Sequence, residues 1–534
     1  MSSTAGVPNL KITGNVTGDT LAGAILLSVE VTQELNQHSW CKVVCRRSDA
    51  GDEQRIGAES PLGHPMQIVA YDQDGSEVPV FDGYVIESEL TYEISGSYEA
   101  HFTAVTRSYF MDVAPRTAYF EQMDIQGVAK KLIDQDGLTQ KTSSFDVSAS
   151  QTRDFIQWGE TNWSFLKRIA DDGEAWIRPT NGGIEIFDSF QSGDKLNWRD
   201  EHSLLLFKTR GKLSSQGFDG AHYDPYKMES KTYEGVQDDA EFYGDSAGNM
   251  VDSTKQGSIL IPSGYIHQRG RVGDLDGFEN RLKKESRRSV GGSVAAYGES
   301  MNPKLKAGDT VDIDGLPDSN GTFGLTKVVH IWAPTGYSNQ FFCTPWKKYT
   351  NPQPPAVHTW PGVVNGRVED NNDPEGMGRI KVRFFWQEEN VVHWARMMTP
   401  HAGSDRGFLF LPEIGDEVVI AFGDGDVEKP VILGCLWNGV DKPPREEFWG
   451  GENNGNDVKR IVTKSGHRIH IVDKQGKEAI VIATPKELKI VMMEKTDETG
   501  RSMIMLHSEN GDIVLSAPNG RVHVHGKFVS EEAG

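Results

Sequence analysis

The chain is poor in cysteine, has no long apolar run and is short of positive charge. Its four cysteines in 534 residues are too few for a disulfide-stapled scaffold and fit synthesis in a reducing compartment. Cys41 and Cys45 lie in the strand-like segment WCKVVC. Four residues of strand span about 13 Å, beyond the roughly 7 Å across which two Cα atoms can be bridged, so both are expected as free thiols. A zinc site on this pair is disfavoured, because no second Cys/His pair with ligand spacing lies near it. No segment approaches the roughly 18 apolar residues of a membrane helix. The opening MSSTAGVPNLKITGN has no basic stretch followed by an apolar one, so no secretory signal peptide is expected. Lys and Arg number 55 against 77 Asp and Glu, a formal charge of −22. A surface this acidic repels phosphate backbones, which argues against nucleic acid as a partner.

Catalytic signatures are also scarce. The zincin helix HExxH and the P-loop GxxxxGK[ST] do not occur. No nucleophile elbow and no Cys/His catalytic pair is expected. Paired carboxylates carry little information in so acidic a chain. The chain is therefore expected not to be an enzyme.

What is present is mostly short strands. The length suits about three or four domains. Segments 62–70, 77–90 and 98–106 alternate in period two, with turns at Asp74-Gly75 and Ser95-Gly96. The period then changes. Ile125, Val128, Ala129, Leu132 and Ile133 recur at helical spacing, with Asp124 as N-cap and Gly137 past the end. A second helix is expected over 162–172, ended by Gly173. A hairpin follows from Trp176 to Ile186 across Asn181-Gly182. A basic helix is expected near 278–289, and residues 345–362 are proline-rich and read as a stiff linker.

Between Gly378 and Gly439, four or five short strands separated by Gly, Pro and Asp turns suggest a small closed barrel of the oligonucleotide/oligosaccharide-binding (OB) type. From Lys459 onward, short strands recur about every ten residues. One chain of such strands has no second layer to cover its apolar side, and its edges are open. Threefold self-association removes both defects. Residues 459–526 are therefore read as one third of an intertwined β-prism, with Ile469, Ile471, Ile480, Ile482, Leu488, Ile490, Val522 and Val524 facing inward.

The wording of these segments goes further. GRIKVRFFW, WARMMTPHAG, FLPEIGDEVVIAFGDGD and KPVILGCLWNG resemble the OB domain of VgrG, the spike of type VI secretion and related contractile injection machines. LIDQDGL (132–138), WGETNWSFLKRIADDGEAWIRP (158–179) and LKAGDTVDIDG (305–315) resemble its hub. The resemblance implies a mainly β fold. Its parts would be a hub of β-barrel lobes over 1–350, an OB domain over 360–440, a linker over 441–458 and a trimeric β-prism over 459–534. It implies a homotrimeric spike that punctures a target envelope. An Hcp-like tube protein and baseplate proteins would meet the hub, a PAAR-like tip protein would dock at the C-terminus, and effector cargo could be carried. Such a protein is made in the cytoplasm and delivered outside the cell or into a target cell. About 20 residues separate Asn438 from Lys459 and about eight follow Gly526, so neither an inserted lysozyme domain nor a trailing toxin is expected. The competing readings are an effector enzyme or cell-wall hydrolase, and an OB module for carbohydrate or nucleic acid.

His523 and His525 form the one candidate metal pair. In a trimer they would bring six imidazoles to one axis, an octahedral set suited to iron or another transition metal. The His-x-His of some contractile-phage spike tips resembles this. With Val522 and Val524 turned inward, both histidines would face solvent instead. Alternation does not fix which. His467 and His470 should point to opposite faces of a strand. The GDGD at 423–426 reads as a tight turn and not a calcium loop. Phe384, Phe385, Trp386 and Trp394 could stack bases or sugars, but in an acidic chain they are expected to fill a barrel or subunit seam.

Overall fold

A computed structural model describes residues 10–13, 24–47, 61–92, 94, 98–142, 152–180, 182–198, 200, 203–224, 228–238, 241–243, 246–267, 275–353, 355, 362–386, 392–444, 457–494 and 500–527. The Ser95-Gly96 turn, Asn181, Thr499 and parts of the two expected linkers lie outside them.

Period-two alternation builds the hub. In Trp40–Arg47 every second residue, Cys41, Val43 and Cys45, is at most 1% exposed. This strand belongs to an antiparallel run ordered Leu10–Thr13, Pro65–Tyr71, Glu77–Tyr92, Tyr98–Val105, Trp40–Arg47, Ile25–Glu34. Its inner face closes on Val29, Val31, Ile68, Phe102 and Trp332. The sheet does not stop there. Ile25–Glu34 pairs with Gly321–Ala333, which leads through Gly336–Thr344 and Val294–Ser300 to Leu204–Gly211. A second core of Leu196, Ile313, Phe323, Leu325 and Phe341 lies under this part. The two cores thus lie under one 12-stranded sheet.

Two helices cap the middle of the hub. α1 (Ile125–Gln135) starts where the Asp124 carboxylate accepts from the Gly127 N–H at 2.7 Å. It ends at Gly137, whose φ of +67° suits glycine. α2 (Asn162–Asp172) is capped by the Thr161 hydroxyl, which accepts from Ser164 N–H. The apolar stripes of both helices bury Val128, Leu132, Trp163, Leu166 and Ile169. The hairpin Trp176–Thr180 with Gly183–Phe187 follows as expected. A third helix, α3 (Ser246–Gly257), was not legible in the sequence. α4 (Leu275–Gly291) is longer than expected.

Buried ion pairs bind these layers. The Arg178 guanidinium donates to Asp309 at 2.7 Å, to Glu185 at 2.6 and 2.8 Å and to the Ala307 carbonyl, tying the hairpin to the second lobe. The Asp171 carboxylate on α2 accepts from Tyr349 Oη at 2.7 Å and pairs with Lys284 and Arg288 of α4.

The OB expectation is met by a closed five-stranded barrel. Its strands are Val363–Asp370, Ile380–Phe384, His393–Met397, Glu417–Phe422 and Pro430–Cys435. Val368, Ile380, Val382, Phe384, Ala395, Val418, Ile420 and Ile432 fill it, each fully buried. The barrel is not held to the hub by a linker alone. Trp158 and Ile156 of the hub strand Arg153–Thr161 share a hydrophobic cluster with it. The chain divides into two compact units, Met1–Gly434 and Cys435–Gly534. Hub and barrel are one body.

Removing one partner of a buried ion network strands the other charges, at a cost of about 3 to 5 kcal/mol. Arg178→Ala should lower the unfolding free energy of the first unit by about that amount in a urea titration. A loss below about 1 kcal/mol would show that the Glu185 and Asp309 carboxylates are satisfied without it.

Candidate functional site

The second unit carries the most unusual surface. Five strands, Val458–Val462, Arg468–Val472, Ala479–Ala483, Lys489–Met493 and Met503–His507, form an antiparallel meander. Tight turns set the register. Gly466 and Gly476 take φ of +89° and +77°, and Glu487 takes +59°. Residues directly opposite across the strands line up by type. Ile461, Ile469, Ile482, Ile490 and Leu506 make one row, and Ile471, Ile480, Met492 and Ile504 a second. Successive residues point to opposite faces, so all nine share one face. Every one is more than a third exposed: Ile482 43%, Ile471 45%, Ile504 76%.

The other face differs. Its central row is Arg460, His470, Val481, Val491 and Met505. Val481 and Val491 are 7% and 1% exposed. One side of the sheet is therefore buried within the chain, and the other is a broad aliphatic surface. Surfaces of this kind mark interaction sites. Five of the eight residues expected inward, Ile469, Ile471, Ile480, Ile482 and Ile490, stand on it. Leu488 belongs to the turn before the fourth strand and is 46% exposed. Val522 and Val524 are 51% and 66% exposed and lie in no strand. The segments 511–517 and 521–526, which alternate like strands, carry no ladder among the described residues. A strand exists through its hydrogen-bonded neighbour, and alternation alone does not supply one.

His523 and His525 are both exposed, with parallel rings 5.9 Å apart. They offer two imidazoles on one side of the chain. Among the described residues no group of three or more His, Cys, Asp or Glu could hold a metal. His467 is exposed and His470 buried. Gly423–Gly425 is a tight turn, in which Asp426 N–H donates to the Gly423 carbonyl.

The four aromatics do not form a stacking platform. Phe384 is inside the barrel, and Phe385 is 59% exposed. Trp394 lies beneath Arg379 and Lys381. Trp386 meets Trp158 edge-on at 3.9 Å. The seam that Phe384 and Trp386 fill joins barrel to hub within one chain. A surface groove of about 470 Å³ lies elsewhere, on the first hub lobe, lined by Glu30, Trp40, Lys42 and Glu87.

Two arrangements with a catalytic look were missed in the sequence. Gly244 to Gly248 spells GDSAG, a G-x-S-x-G match. A nucleophile elbow needs a strand running straight into that turn. Among the described residues the nearest preceding strand, Glu229–Val236, ends eight residues earlier. His38 Nδ1 lies 2.9 Å from Ser108 Oγ, and its Nε2 lies 3.5 Å from Asp112. Ser108 is 1% exposed and also bonded to Thr106, so no substrate reaches it. Burial holds His38 down at about 4. The grouping is structural, and only the fold could bring residues so far apart together.

Comparison with known proteins agrees with this geometry. Residues 364–437 match the family described as the type VI secretion system/phage-baseplate injector OB domain. The type VI secretion system spike protein VgrG5 of Pseudomonas aeruginosa is 25% identical over 36% of this chain and 29% of its own length. The actin cross-linking toxin VgrG1 of Vibrio cholerae is 28% identical over 36% of this chain and 20% of its own. The chain thus aligns with less than a third of either relative. Among solved structures, the Francisella PdpA-VgrG complex aligns with 90% of this chain and 84% of the matched one, with a TM-score of 0.59 and 9% identity. The E. coli c3393 protein, a type VI secretion component with structural similarity to phage T4 gp27 and gp5, covers 80% of this chain and 100% of its own. Its TM-score is 0.52, with 15% identity. At such identities the likeness is one of fold.

None of the four cysteines forms a disulfide; Cys41, Cys45 and Cys343 are buried and Cys435 is exposed. Burial pushes the three buried thiols up, Cys45 to about 12. One thiol per chain should therefore react in the native protein and four after denaturation without reductant. A protected Cys41–Cys45 pair would contradict their place on one strand.

Proposed function

We propose that this VgrG-like chain is the structural spike of a contractile injection machine and works as a homotrimer. The carrying observation is the nine-residue aliphatic face on the sheet that follows an injector-type OB barrel. Water contact at that face is costly. Burying a half-exposed aliphatic side chain stabilises by on the order of 1 kcal/mol, and three chains would contribute nine such residues each. Threefold packing also gives the open sheet edges partners. The same packing offers the segments 511–517 and 521–526 the neighbours they need to become strands.

The remaining assignments rest on this reading. The hub would seat on an Hcp-like tube protein and baseplate proteins. The C-terminal end would receive a PAAR-like tip protein, and effector cargo would travel with either. The assembled particle would act outside the producing cell or in a target cell. Force comes from the machine, so the spike needs rigidity. We assign it no catalysis, the Ser108 grouping being sealed. Direct tests of the competing readings are peptidoglycan hydrolysis and salt-dependent oligonucleotide binding by the purified chain, and neither should be seen.

Ile482→Asp would put three carboxylates together at the shared axis, at several kcal/mol each. Lys477→Asp alters a turn. Light scattering should find Ile482→Asp reduced to monomers and Lys477→Asp still trimeric. An unaffected Ile482→Asp trimer would remove the shared-face account.

His523 and His525 would hold iron or another transition metal only where three chains bring six imidazoles together. Elemental analysis of the trimer should then give about one metal per three chains, lost in the double alanine variant. A metal-free trimer of normal stability would leave the pair a solvent-facing feature.

A further inference from the structure

We infer that residues 301–306 form an acid-releasable clasp between the two hub cores, locked by a one-way hydrogen-bond chain through His330. The clasp lies within a single chain, so the inference does not rest on the trimer.

The segment joins the strands Val294–Ser300 and Asp309–Asp314 and reaches both cores. Leu305 is buried with Ile313, Phe323 and Phe341. Lys304 pairs at 2.5 Å with Asp72, on the turn that follows Pro65–Tyr71 of the first lobe. The Asn302 amide donates to Asp194 at 3.0 Å. Three polar side chains of the hairpin Gly321–Ala333 with Gly336–Thr344 meet the segment: His330, Tyr337 and Asn339. His330 stands opposite Asn339 on one side and opposite Val31 of the first lobe on the other. Its ring lies close to parallel with Trp332 at 5.9 Å and with Tyr337 at 6.1 Å, and both of these pack into the first core. His330 and Asn339 have no exposed surface.

Counting hydrogens gives the chain its direction. The Asn339 amide donates to the Asn302 carbonyl at 2.7 Å and to Tyr337 Oη at 2.8 Å, which uses both of its hydrogens. The Tyr337 hydroxyl has one hydrogen to give. Its acceptors are His330 Nδ1 at 2.8 Å and the Asn302 carbonyl at 3.5 Å, and the shorter contact takes it. Nδ1 is therefore bare, and the ring proton sits on Nε2. Nε2 makes no full hydrogen bond among the described residues, and the backbone acceptor that acts on the ring is the Leu305 carbonyl, on the clasp itself. Only a neutral His330 completes this chain.

Acid undoes it twice. A proton on Nδ1 ends its role as acceptor, and the Tyr337 O–H must turn to the distant Asn302 carbonyl, which Asn339 already occupies. The same proton puts a charge on a side chain cut off from water. The charged groups of the surrounding elements are engaged elsewhere. Lys327 of the same strand pairs with Glu34, and Lys306 with Asp309. Asp74 accepts from Ser76, and Glu299 from Tyr297. Glu30 adjoins Val31 and so points to the other face of its strand. Among the described residues none pairs with His330. Burial accordingly holds it down at about 3. A histidine lowered on folding stabilises the fold fully above its ordinary 6.5. That contribution is lost as pH falls toward the folded value. The ladder between the lobes stays, and the segment 301–306 lets go.

The test is amide hydrogen exchange on the full chain at pH 7.5 and pH 4.5, corrected for the chemical exchange rate. Peptides covering 301–306 and 336–339 report the clasp, and 41–45 reports the first core. In the wild type the clasp should lose about a hundredfold in protection at pH 4.5, and 41–45 should not. The quantity read is the ratio between the two pH values, not the starting protection. His330→Gln can accept from Tyr337 and donate toward Leu305 without titrating, and should cut that ratio to below about fivefold. His401→Gln, exposed on the barrel, should behave as wild type. Equal protection of the clasp at both pH values in the wild type would overturn the inference without any variant. So would a fall shared equally by 41–45, or an undiminished fall in His330→Gln.

Discussion

A five-stranded sheet with apolar residues on both faces cannot stand in water as a single layer. That constraint governs the second unit. Val481 and Val491 are buried within the chain, while Ile461, Ile469, Ile482, Ile490 and Leu506 are aligned and wet. The alignment matters as much as the exposure. Scattered aliphatics on a surface are ordinary, but an unbroken row across every strand presents one continuous ridge to a partner. A second copy supplies such a ridge by symmetry, and three copies close it around an axis with no edge left over.

The first unit meets the opposite requirement, to be rigid by itself. Its two cores share one sheet, so the lobes cannot move apart without breaking the ladder between Ile25–Glu34 and Gly321–Ala333. Arg178 and Asp171 add ion pairs between layers where apolar packing alone would leave the orientation loose. The barrel is fixed by Trp158, which reaches from the hub strand to Trp386 and Phe422. In the proposed spike, such rigidity would suit a body that transmits a push.

Much of this was legible in the sequence. Helical spacing with Asp124 at its head gave α1, and period-two segments between Gly and Pro turns gave the barrel strands. The aliphatic face was legible too, because alternation at Ile469 to Ile490 is regular. Other features were hidden for physical reasons. The proline-rich stretch suggested separate hub and barrel, since a seam contact between Trp158 and Trp386 depends on residues more than two hundred positions apart. The segments around Ile513 and Val522 read as strands because alternation reports a side-chain pattern and not a hydrogen-bonding partner. α3 was missed because its sequence, SAGNMVDSTKQG, has almost no apolar stripe.

The central claim is that the exposed aliphatic face is covered by two further copies of the same chain. Native mass spectrometry of the full-length protein tests this most directly, across a dilution series at neutral pH. The account predicts one dominant species of three chains that persists on dilution. A folded monomer as the dominant species, with its Ile471 and Ile504 side chains open to water, would contradict it.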